Sequence, residues 1–323
     1  MKSVVDQSKW PKVAVLGAGA VGSYFGGMLV RAGVPVTLIG RNPHVEVING
    51  SGLVLDSIHF HETIRVSATT DISALNDSAI VLICVKSYDT EEAARSIAGH
   101  LSSKAIVVSL QNGVDNVERI RSTSGIEALA AAVYVAVELS APGHVKHTGA
   151  GNLAIGDLWD PQHADTSRSD DLKKVTAVFS RAEVPCRLSE DIRSDLWIKL
   201  VMNCAYNAIS ALCHARYGPL SQNQWVQAVM RQVISEIVAV ARADGVAIPS
   251  ADALMESALK LGMTMRDAFS STAQDVQRGK RTEIDSLNGY VVRRGRELGI
   301  VTPANQTLHA LMKLLEEVSL QSH

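Results

Sequence analysis

The chain has 323 residues and a formal net charge of −2 at pH 7, with 46% hydrophobic, 20% charged and 4% aromatic residues. This composition is typical of a globular protein with material for two domains, and it excludes a disordered chain. Because phosphate contacts need clustered Lys and Arg, the balanced charge and the few aromatic rings argue against nucleic-acid binding.

The first half of the chain alternates short β-branched runs with helical stretches. Strands are predicted at 12–16, 36–39, 79–85 and 106–110, and helices at 20–31 and 90–101. This rhythm predicts a parallel sheet with helices on both faces. Between residues 127 and 155, two or three strands are expected, joined by turns at Ala141–Gly143 and Thr148–Gly151. Residues 160–171 are predicted to form a polar loop before a helix that ends near Arg181.

Strand signals disappear after residue 190. Helices with a 3.6-residue period are predicted at 191–212, 222–244, 251–261, 284–298 and 304–318. The expected fold is therefore α/β, with an N-terminal Rossmann-type doubly wound sheet at residues 1–190 and a C-terminal all-helical domain at 191–323. The first is expected to bind the cofactor, and the second to carry substrate-binding and catalytic residues.

Targeting and metal-binding patterns are not found in the sequence. The first nine residues are polar, so we expect no signal peptide, and 1–10 are predicted to be a flexible tail. The longest apolar stretch, 128–137, is too short to cross a membrane as a helix. Four cysteines without metal-ligand spacing are expected to be buried free thiols in a cytoplasmic protein: Cys84, Cys186, Cys204 and Cys213.

A glycine-rich turn follows the first predicted strand and opens the first helix. Its sequence is Gly17-Ala18-Gly19-Ala20-Val21-Gly22. The context of strand, glycine turn and helix is that of a dinucleotide site, in which the first glycine allows the tight turn and the second lets the backbone approach the pyrophosphate. The third lets the helix pack on the strand. The alternative is a glycine turn without a ligand.

The residue after the second strand indicates which dinucleotide binds. NAD enzymes usually place Asp or Glu there, whereas this chain has Arg41, whose guanidinium suits the 2′-phosphate of NADP. The sequence shows no acid nearby that would repel the phosphate. Lys86, which follows the strand ending at Val85, is expected at the same sheet edge and could supply a second cation. Either residue could instead be solvated.

Polar residues in three further places suggest catalysis. Asn112 follows the strand that begins at Ile106, so it is expected near the nicotinamide. Lys199, Asn203 and Asn207 are spaced four apart among apolar neighbours, so one face of a largely buried helix presents all three. The alternatives are a plain Asn-Gly turn and a lysine that reaches solvent along the helix surface.

The third place lies near the C-terminal end of the helical region. It contains Ser271 and the acidic segment around Glu283, although acids near a helix start often serve only as caps.

Taken together, these segments resemble ketopantoate reductases (2-dehydropantoate 2-reductases). The resemblance spans nearly the whole chain and rests on six segments in family order: GAGAVG at Gly17–Gly22, LQNG at Leu110–Gly113, PGHVKHTGAG at Pro142–Gly151, WIKLVMNCAYN at Trp197–Asn207, SSTAQD at Ser270–Asp275 and RTEIDSLNG at Arg281–Gly289.

The resemblance implies an NADPH-dependent oxidoreductase that reduces 2-dehydropantoate to (R)-pantoate in pantothenate and coenzyme A biosynthesis. It implies that Lys199 is the general acid and that Glu283 helps to bind substrate and supports catalysis. The substrate site would be lined by polar residues, namely Asn112, Asn203, Asn207 and Ser271. Arg41 and Lys86 match the positions that meet the phosphate end of NADP, and Asn112 could also hold the cofactor ribose.

This chain departs from the family pattern at three positions. Tyr217 stands where the family often has an asparagine that contacts substrate, Thr272 where methionine is common, and Ala208 where proline is common. Because a phenol would reshape the pocket, Tyr217 leaves open the reduction of another branched 2-keto acid.

A non-catalytic NADPH-sensing protein is the alternative from another class, but it would have no use for Lys199, Asn203 and Asn207 together with Glu283. The expected partner is a small 2-keto acid, with no metal, nucleic acid or membrane. The oligomeric state, a homodimer included, stays open.

Overall fold

A computed structural model describes residues 10–158 and 166–321 of the protein. Its strands are β1 (Val13–Leu16), β2 (Val36–Ile39), β3 (Leu53–Ser57), β4 (His61–Ile64), β5 (Ser67–Thr69), β6 (Ile80–Ile83), β7 (Ile106–Ser109), β8 (Leu129–Ala141), β9 (His144–Gly156) and β10 (Cys186–Leu188). The helices before residue 190 are α1 (Ala20–Arg31), α2 (His44–Ser51), α3 (Thr90–Ile97), α4 (Asn116–Ser124) and α5 (Thr166–Arg181).

The remaining helices belong to the C-terminal part of the chain. They are α6 (Ile192–Cys213), α7 (Tyr217–Gln222), α8 (Gln224–Ala243), α9 (Ala251–Thr264), α10 (Ser271–Gln277), α11 (Asn288–Glu297) and α12 (Pro303–Gln321). The chain forms two compact units. One comprises residues up to Gln111 together with Asp115–Ile192, and the other comprises Asn112–Val114 together with the residues from Arg193 on.

The first unit is built on one mixed sheet. Its parallel part has the order β5-β2-β1-β6-β7-β8, with β1 at the centre. This is the doubly wound order in which the chain starts at the centre, moves to one edge and then crosses to the other. The sheet continues through β9, which is antiparallel to β8, to β3 and β4. The predicted Rossmann-type fold is confirmed, with an added extension in which β9 is antiparallel to β8 and parallel to β3, and β4 is antiparallel to β3.

The segment between residues 127 and 156 forms a single long hairpin, β8 and β9, rather than several short ones. β8 and β9 have 13 residues each and are joined at Pro142-Gly143. The second expected turn, Thr148–Gly151, is instead a bulge inside β9. The pairing register shifts there, and both Ala150 and Gly151 have positive φ. His147 Nε2 bonds the Ala150 carbonyl at 2.6 Å, which fixes the bulge.

Several elements were not predicted from the sequence. The segment 44–69 forms α2, β3, β4 and β5. Residues 166–171 of the expected polar loop are the start of α5, and 159–165 lie outside the described residues. The helix expected at 284–298 is split into a 3-10 turn, Ile284–Ser286, and α11.

Helix α6 contributes many buried side chains to the core of the second unit. Trp197, Val201 and Ala205 belong to the same buried cluster as residues of α8, α9 and the segments after residue 270. In the part of the chain that the structure describes, α6 is also the one helix long and apolar enough to cross a membrane, although 67% of its most apolar window is buried inside the protein. Its apolar composition is accounted for by this position in the core.

Two smaller expectations were wrong. Trp10 is not part of a tail, because it is 8% exposed and the Arg181 guanidinium lies 3.9 Å from its ring centroid; residues 1–9 lie outside the described residues. The four cysteines are free thiols, but only Cys204 is buried, and Cys213 is exposed on the last turn of α6.

Candidate active site

The glycine turn leaves open space at one position and none at the other two. A Cβ on Gly17, whose φ is +100°, would lie 2.6 Å from the Val85 backbone nitrogen. A Cβ on Gly22 would lie 2.2 Å from the Gly17 carbonyl oxygen, so only glycine lets α1 pack this closely. A Cβ on Gly19 would meet nothing within 4 Å. Gly19 therefore lines an open face of the turn, and the other two glycines shape its backbone.

This open face lies at the N-terminus of α1. Gly19 is the N-cap and supplies no side-chain cap, and no acidic residue lies in the first turn, which contains Ala20 and Val21. Ala18 is buried where the turn meets Gly40. Free backbone N–H groups at a helix N-terminus favour an anionic group. The turn thus fits the pyrophosphate of a dinucleotide.

Arg41 and Lys86 follow the two strands that flank β1. Leu16, the last residue of β1, pairs with Ile39 of β2 and with Ile83 of β6. Both cations therefore lie just past the carboxyl ends of strands next to the glycine turn. The Arg41 side chain is 89% exposed, and its Nη2 lies 3.4 Å from an Asp89 carboxylate oxygen.

We expected no acid close to Arg41, and this expectation was wrong. Asp89 follows β6 in sequence rather than β2, and only the strand order β2-β1-β6 brings its carboxylate next to Arg41.

A buried hydrogen-bond network holds the backbone that precedes Lys86. Gln111 Nε2 donates to the Val85 carbonyl at 3.1 Å and to Thr90 Oγ1 at 2.8 Å, while Ser109 Oγ donates to Gln111 Oε1 at 2.9 Å. Thr90 Oγ1 also bonds Asn116 Oδ1 at 2.9 Å. The network ties the ends of β6 and β7 to the start of α3. Gln111 belongs to the LQNG segment, and this was the only signal in the sequence.

A second buried chain of hydrogen bonds reaches the glycine turn. The Gly143 N–H donates to His44 Nδ1 at 2.7 Å, His44 Nε2 lies 3.0 Å from Ser23 Oγ, and Ser23 Oγ donates to the Ala18 carbonyl at 3.1 Å. Since Nδ1 accepts, the imidazole is neutral and Nε2 donates. Burial lowers the pKa of His44, which favours the same neutral form.

Three predicted residues meet in the second unit. Lys199 Nζ on α6 donates to Asn112 Oδ1 at 2.9 Å, and Asn112 Nδ2 donates to Glu283 Oε2 at 3.1 Å. Desolvation lowers the pKa of Lys199 to about 8, and the negative charge of Glu283 opposes this shift. A lysine with such a pKa is mostly protonated at neutral pH and releases its proton readily, as a general acid requires.

The segment that carries Glu283 is fixed by α12. The Thr282 N–H donates to Glu316 Oε1 at 2.6 Å. Two residues later, Asp285 bonds His309 Nε2 at 2.8 Å and Lys313 Nζ at 2.9 Å, and these contacts, with that of His309 the largest, hold its pKa well below the usual range. The Glu283 side chain between them is 7% exposed. None of these α12 residues was predicted.

The other predicted substrate residues have different environments. Asn203 is partly buried on the same face of α6 as Lys199. Asn207 is 2% exposed, and its Oδ1 accepts a hydrogen bond of 3.3 Å from the Tyr217 hydroxyl, whose ring stacks on Tyr206 at 4.3 Å. Ser271 is exposed at the first residue of α10. The structure therefore unites Lys199, Asn112 and Glu283, whereas Asn207 is held by Tyr217.

Comparison with known proteins identifies the family. The family described as ketopantoate reductase PanE/ApbA matches residues 13–159, and its C-terminal part matches 191–316. A 2-dehydropantoate 2-reductase of Pyrococcus abyssi is 36% identical over 304 residues, which cover 94% of this chain and 97% of that one.

Solved structures agree. A PanE/ApbA family ketopantoate reductase from Ralstonia eutropha JMP134 is 47% identical with a TM-score of 0.87, covering 95% of this chain and 99% of that one. The structure of D-mandelate dehydrogenase with NADH and anilino(oxo)acetate shares the fold at 22% identity, with a TM-score of 0.87, covering 95% of this chain and 99% of that one. Both parts of the chain match one family of reductases, so the protein is an oxidoreductase that belongs to the ketopantoate reductase family.

Proposed function

We propose that the protein reduces 2-dehydropantoate to (R)-pantoate with NADPH. The observation that carries this proposal is the chain of hydrogen bonds from Lys199 through Asn112 to Glu283. It offers a cationic amine, an amide and a carboxylate in one place, as the reduction of a ketone with a neighbouring hydroxyl and carboxylate requires. The related enzyme of Pyrococcus abyssi, 36% identical, has the same named activity.

Lys199 would act on the ketone oxygen. When bound, the reduced nicotinamide supplies the hydride to the keto carbon. Negative charge then develops on the oxygen, where the Lys199 ammonium stabilises it and donates the proton from Nζ. Because Asn112 Oδ1 already accepts from Nζ, the amine is oriented before substrate binds. Glu283 would accept a hydrogen bond from a substrate hydroxyl and keep Lys199 protonated.

The dinucleotide would be held by the first unit. Gly17–Gly22 would receive the pyrophosphate, and Arg41 and Lys86 would meet the 2′-phosphate end. Asn112 would contact the cofactor ribose or the substrate. We further propose that Asn203, Asn207 and Ser271 line the substrate pocket, and that residues 1–190 form the cofactor domain and 191–323 the substrate and catalytic domain.

The cellular location and the oligomeric state of the protein are also proposals. Free thiols at four cysteines fit a cytoplasmic enzyme. A homodimer is supported by exposed apolar side chains on α12, Leu311, Leu314 and Val318. Sedimentation equilibrium would measure the oligomeric state directly.

The decisive experiment follows NADPH oxidation with 2-dehydropantoate and a panel of other branched 2-keto acids. Lys199→Ala should lower kcat by at least about a thousandfold, because it removes both charge stabilisation and the proton donor, while the Kd for NADPH stays unchanged. The matched control is Lys260→Ala, an exposed lysine on α9. Full activity in Lys199→Ala would refute the assignment, and a preference of the wild type for another keto acid would correct the substrate.

A further inference from the structure

Asp89 is the acidic residue that contacts Arg41. Its carboxylate oxygen lies 3.4 Å from Arg41 Nη2. The Asp89 side chain is 27% exposed and that of Arg41 is 89% exposed, so the carboxylate is the more fixed partner of the pair. A cation this exposed can leave one anion for another at little cost, because exposed ion pairs stabilise weakly.

The backbone around Asp89 is held in place. Asp89 closes the 3-10 turn Ser87–Asp89, and its N–H donates to the Lys86 carbonyl at 2.8 Å. The Ser87 carbonyl accepts from Arg119 Nη2 at 2.7 Å and from Thr90 Oγ1 at 2.9 Å. The carboxylate therefore projects from a turn that is anchored on buried groups.

Helix capping does not account for this carboxylate. Asp89 is the N-cap residue of α3, yet its side chain makes no cap hydrogen bond. The next acid, Glu91, has both carboxylate oxygens bonded by Arg119, at 2.8 and 2.7 Å. Of these two acids, Asp89 is the one whose charge acts on Arg41.

We propose that Asp89 is a specificity-determining residue that lowers the preference of the enzyme for a 2′-phosphorylated dinucleotide. This inference rests on the proposed use of a nicotinamide dinucleotide. A 2′-phosphate brings about −1.5 to −2 charges to Arg41, so it must draw the guanidinium away from Asp89 and bear the repulsion of the carboxylate. A ribose with a free 2′-hydroxyl is neutral there and can donate a hydrogen bond to a carboxylate. Asp89 thus favours NADH relative to NADPH.

The test compares Asp89→Asn with the wild type by isothermal titration calorimetry. The ligands are 2′,5′-ADP and 5′-AMP, which differ in the 2′-phosphate, and then NADPH and NADH. Asparagine keeps the size and the N-cap preference of aspartate, so the fold should be kept. The ratio of the Kd for 5′-AMP to the Kd for 2′,5′-ADP should rise by about threefold to tenfold at about 20 mM salt, and the rise should shrink at high salt.

Two further variants isolate the contact. Asp77→Asn makes the same charge change at an exposed aspartate that pairs with Lys12 at 3.8 Å. Asp77 precedes β6, whereas Asp89 follows it, so this variant should leave the ratio of the two Kd values unchanged. In an Arg41→Ala background, Asp89→Asn should change the ratio less than it does in the wild type, because part of its effect passes through the guanidinium.

The outcomes separate the inference from the proposed function. An unchanged or lowered ratio in Asp89→Asn overturns the inference, and a lowered ratio would mean that the carboxylate orients Arg41 for the phosphate. A raised ratio in a protein that reduces no 2-keto acid supports the inference and refutes the proposed function.

Discussion

Replacing Glu283 by glutamine should move the pH dependence of catalysis to lower pH. A general acid must be protonated, so in its proposed role Lys199, with a pKa of about 8, should give a wild-type kcat/KM that is constant below this pH and falls tenfold per pH unit above it. The Glu283 charge raises that pKa against desolvation. Without this charge, Lys199 should lose its proton at lower pH.

The size of the shift follows from the hydrogen-bond geometry. Bonds of 2.9 and 3.1 Å join the amine and the carboxylate to opposite ends of the Asn112 amide, which places the two charges about 6 Å apart. At an effective dielectric constant of about 20, their attraction is about 3 kcal/mol, or about two pKa units. Solvent at the partly exposed Lys199 reduces this value, so we expect a shift of about one to two units.

The assay is kcat/KM for 2-dehydropantoate with saturating NADPH from about pH 6 to 10, a range chosen to bracket the unperturbed and lowered lysine pKa values. Glu283→Gln will also lower kcat/KM at every pH, but the pH at which kcat/KM begins to fall does not depend on that loss. The control is Glu297→Gln, an exposed glutamate that pairs with Arg294 at 2.7 Å. If kcat/KM of Glu283→Gln still begins to fall near pH 8, or does so at a higher pH, this would falsify the proposed effect of the Glu283 charge on the Lys199 pKa.

Four other variants test the first unit and the helical core. Gly19→Ala should keep the melting temperature but weaken NADPH binding, because its Cβ would enter the open space beside the glycine turn. Gly22→Ala should lower the melting temperature, because its Cβ would lie 2.2 Å from the Gly17 carbonyl oxygen. Burial lowers the pKa of His44 below its unfolded value of about 6.5, so the unfolded chain binds the proton first and the stability of the fold should decrease as the pH drops below about 6.5. In His44→Asn, the melting temperature should decrease less over the same pH range, and an equal decrease would contradict this role of His44. Asn288→Ala should destabilise by about 1–3 kcal/mol, measured by urea unfolding, since Asn288 is fully buried and donates to Asn305 Oδ1 at 3.0 Å; a change within error would show that this bond is dispensable.

The sequence predicted those elements whose periodicity is not interrupted. α1 and β2 have the predicted bounds, because a glycine turn and Gly33 delimit the helix and a β-branched run delimits the strand. The segment 44–69 was missed because its three strands have only three to five residues, too few for the hydrophobic run of a central strand. In addition, β4 and β5 lie at the two ends of the strand order and carry polar side chains. The pairing of β3 with distant β9 is set by tertiary contact.

The candidate site was predictable where one element carries the spacing. Lys199 and Asn203 share a helix face by the four-residue repeat, but the approach of Asn112, 87 residues earlier in the chain, followed only from the family resemblance and is seen in the fold. The contact between Asp89 and Arg41 shows most clearly what the sequence could not predict. Asp89 lies 48 residues from Arg41, and no local pattern relates them.

The contacts that α12 makes with the segment around Glu283 couple the order of this segment to the packing of α12. Thr282 and Asp285 are held by Glu316, His309 and Lys313, which all belong to α12. Because these bonds exist only while α12 is folded and packed, local unfolding of α12 would release the backbone on both sides of Glu283. A chain in which α12 had opened would therefore keep the sheet of the first unit while losing the position of the Glu283 carboxylate.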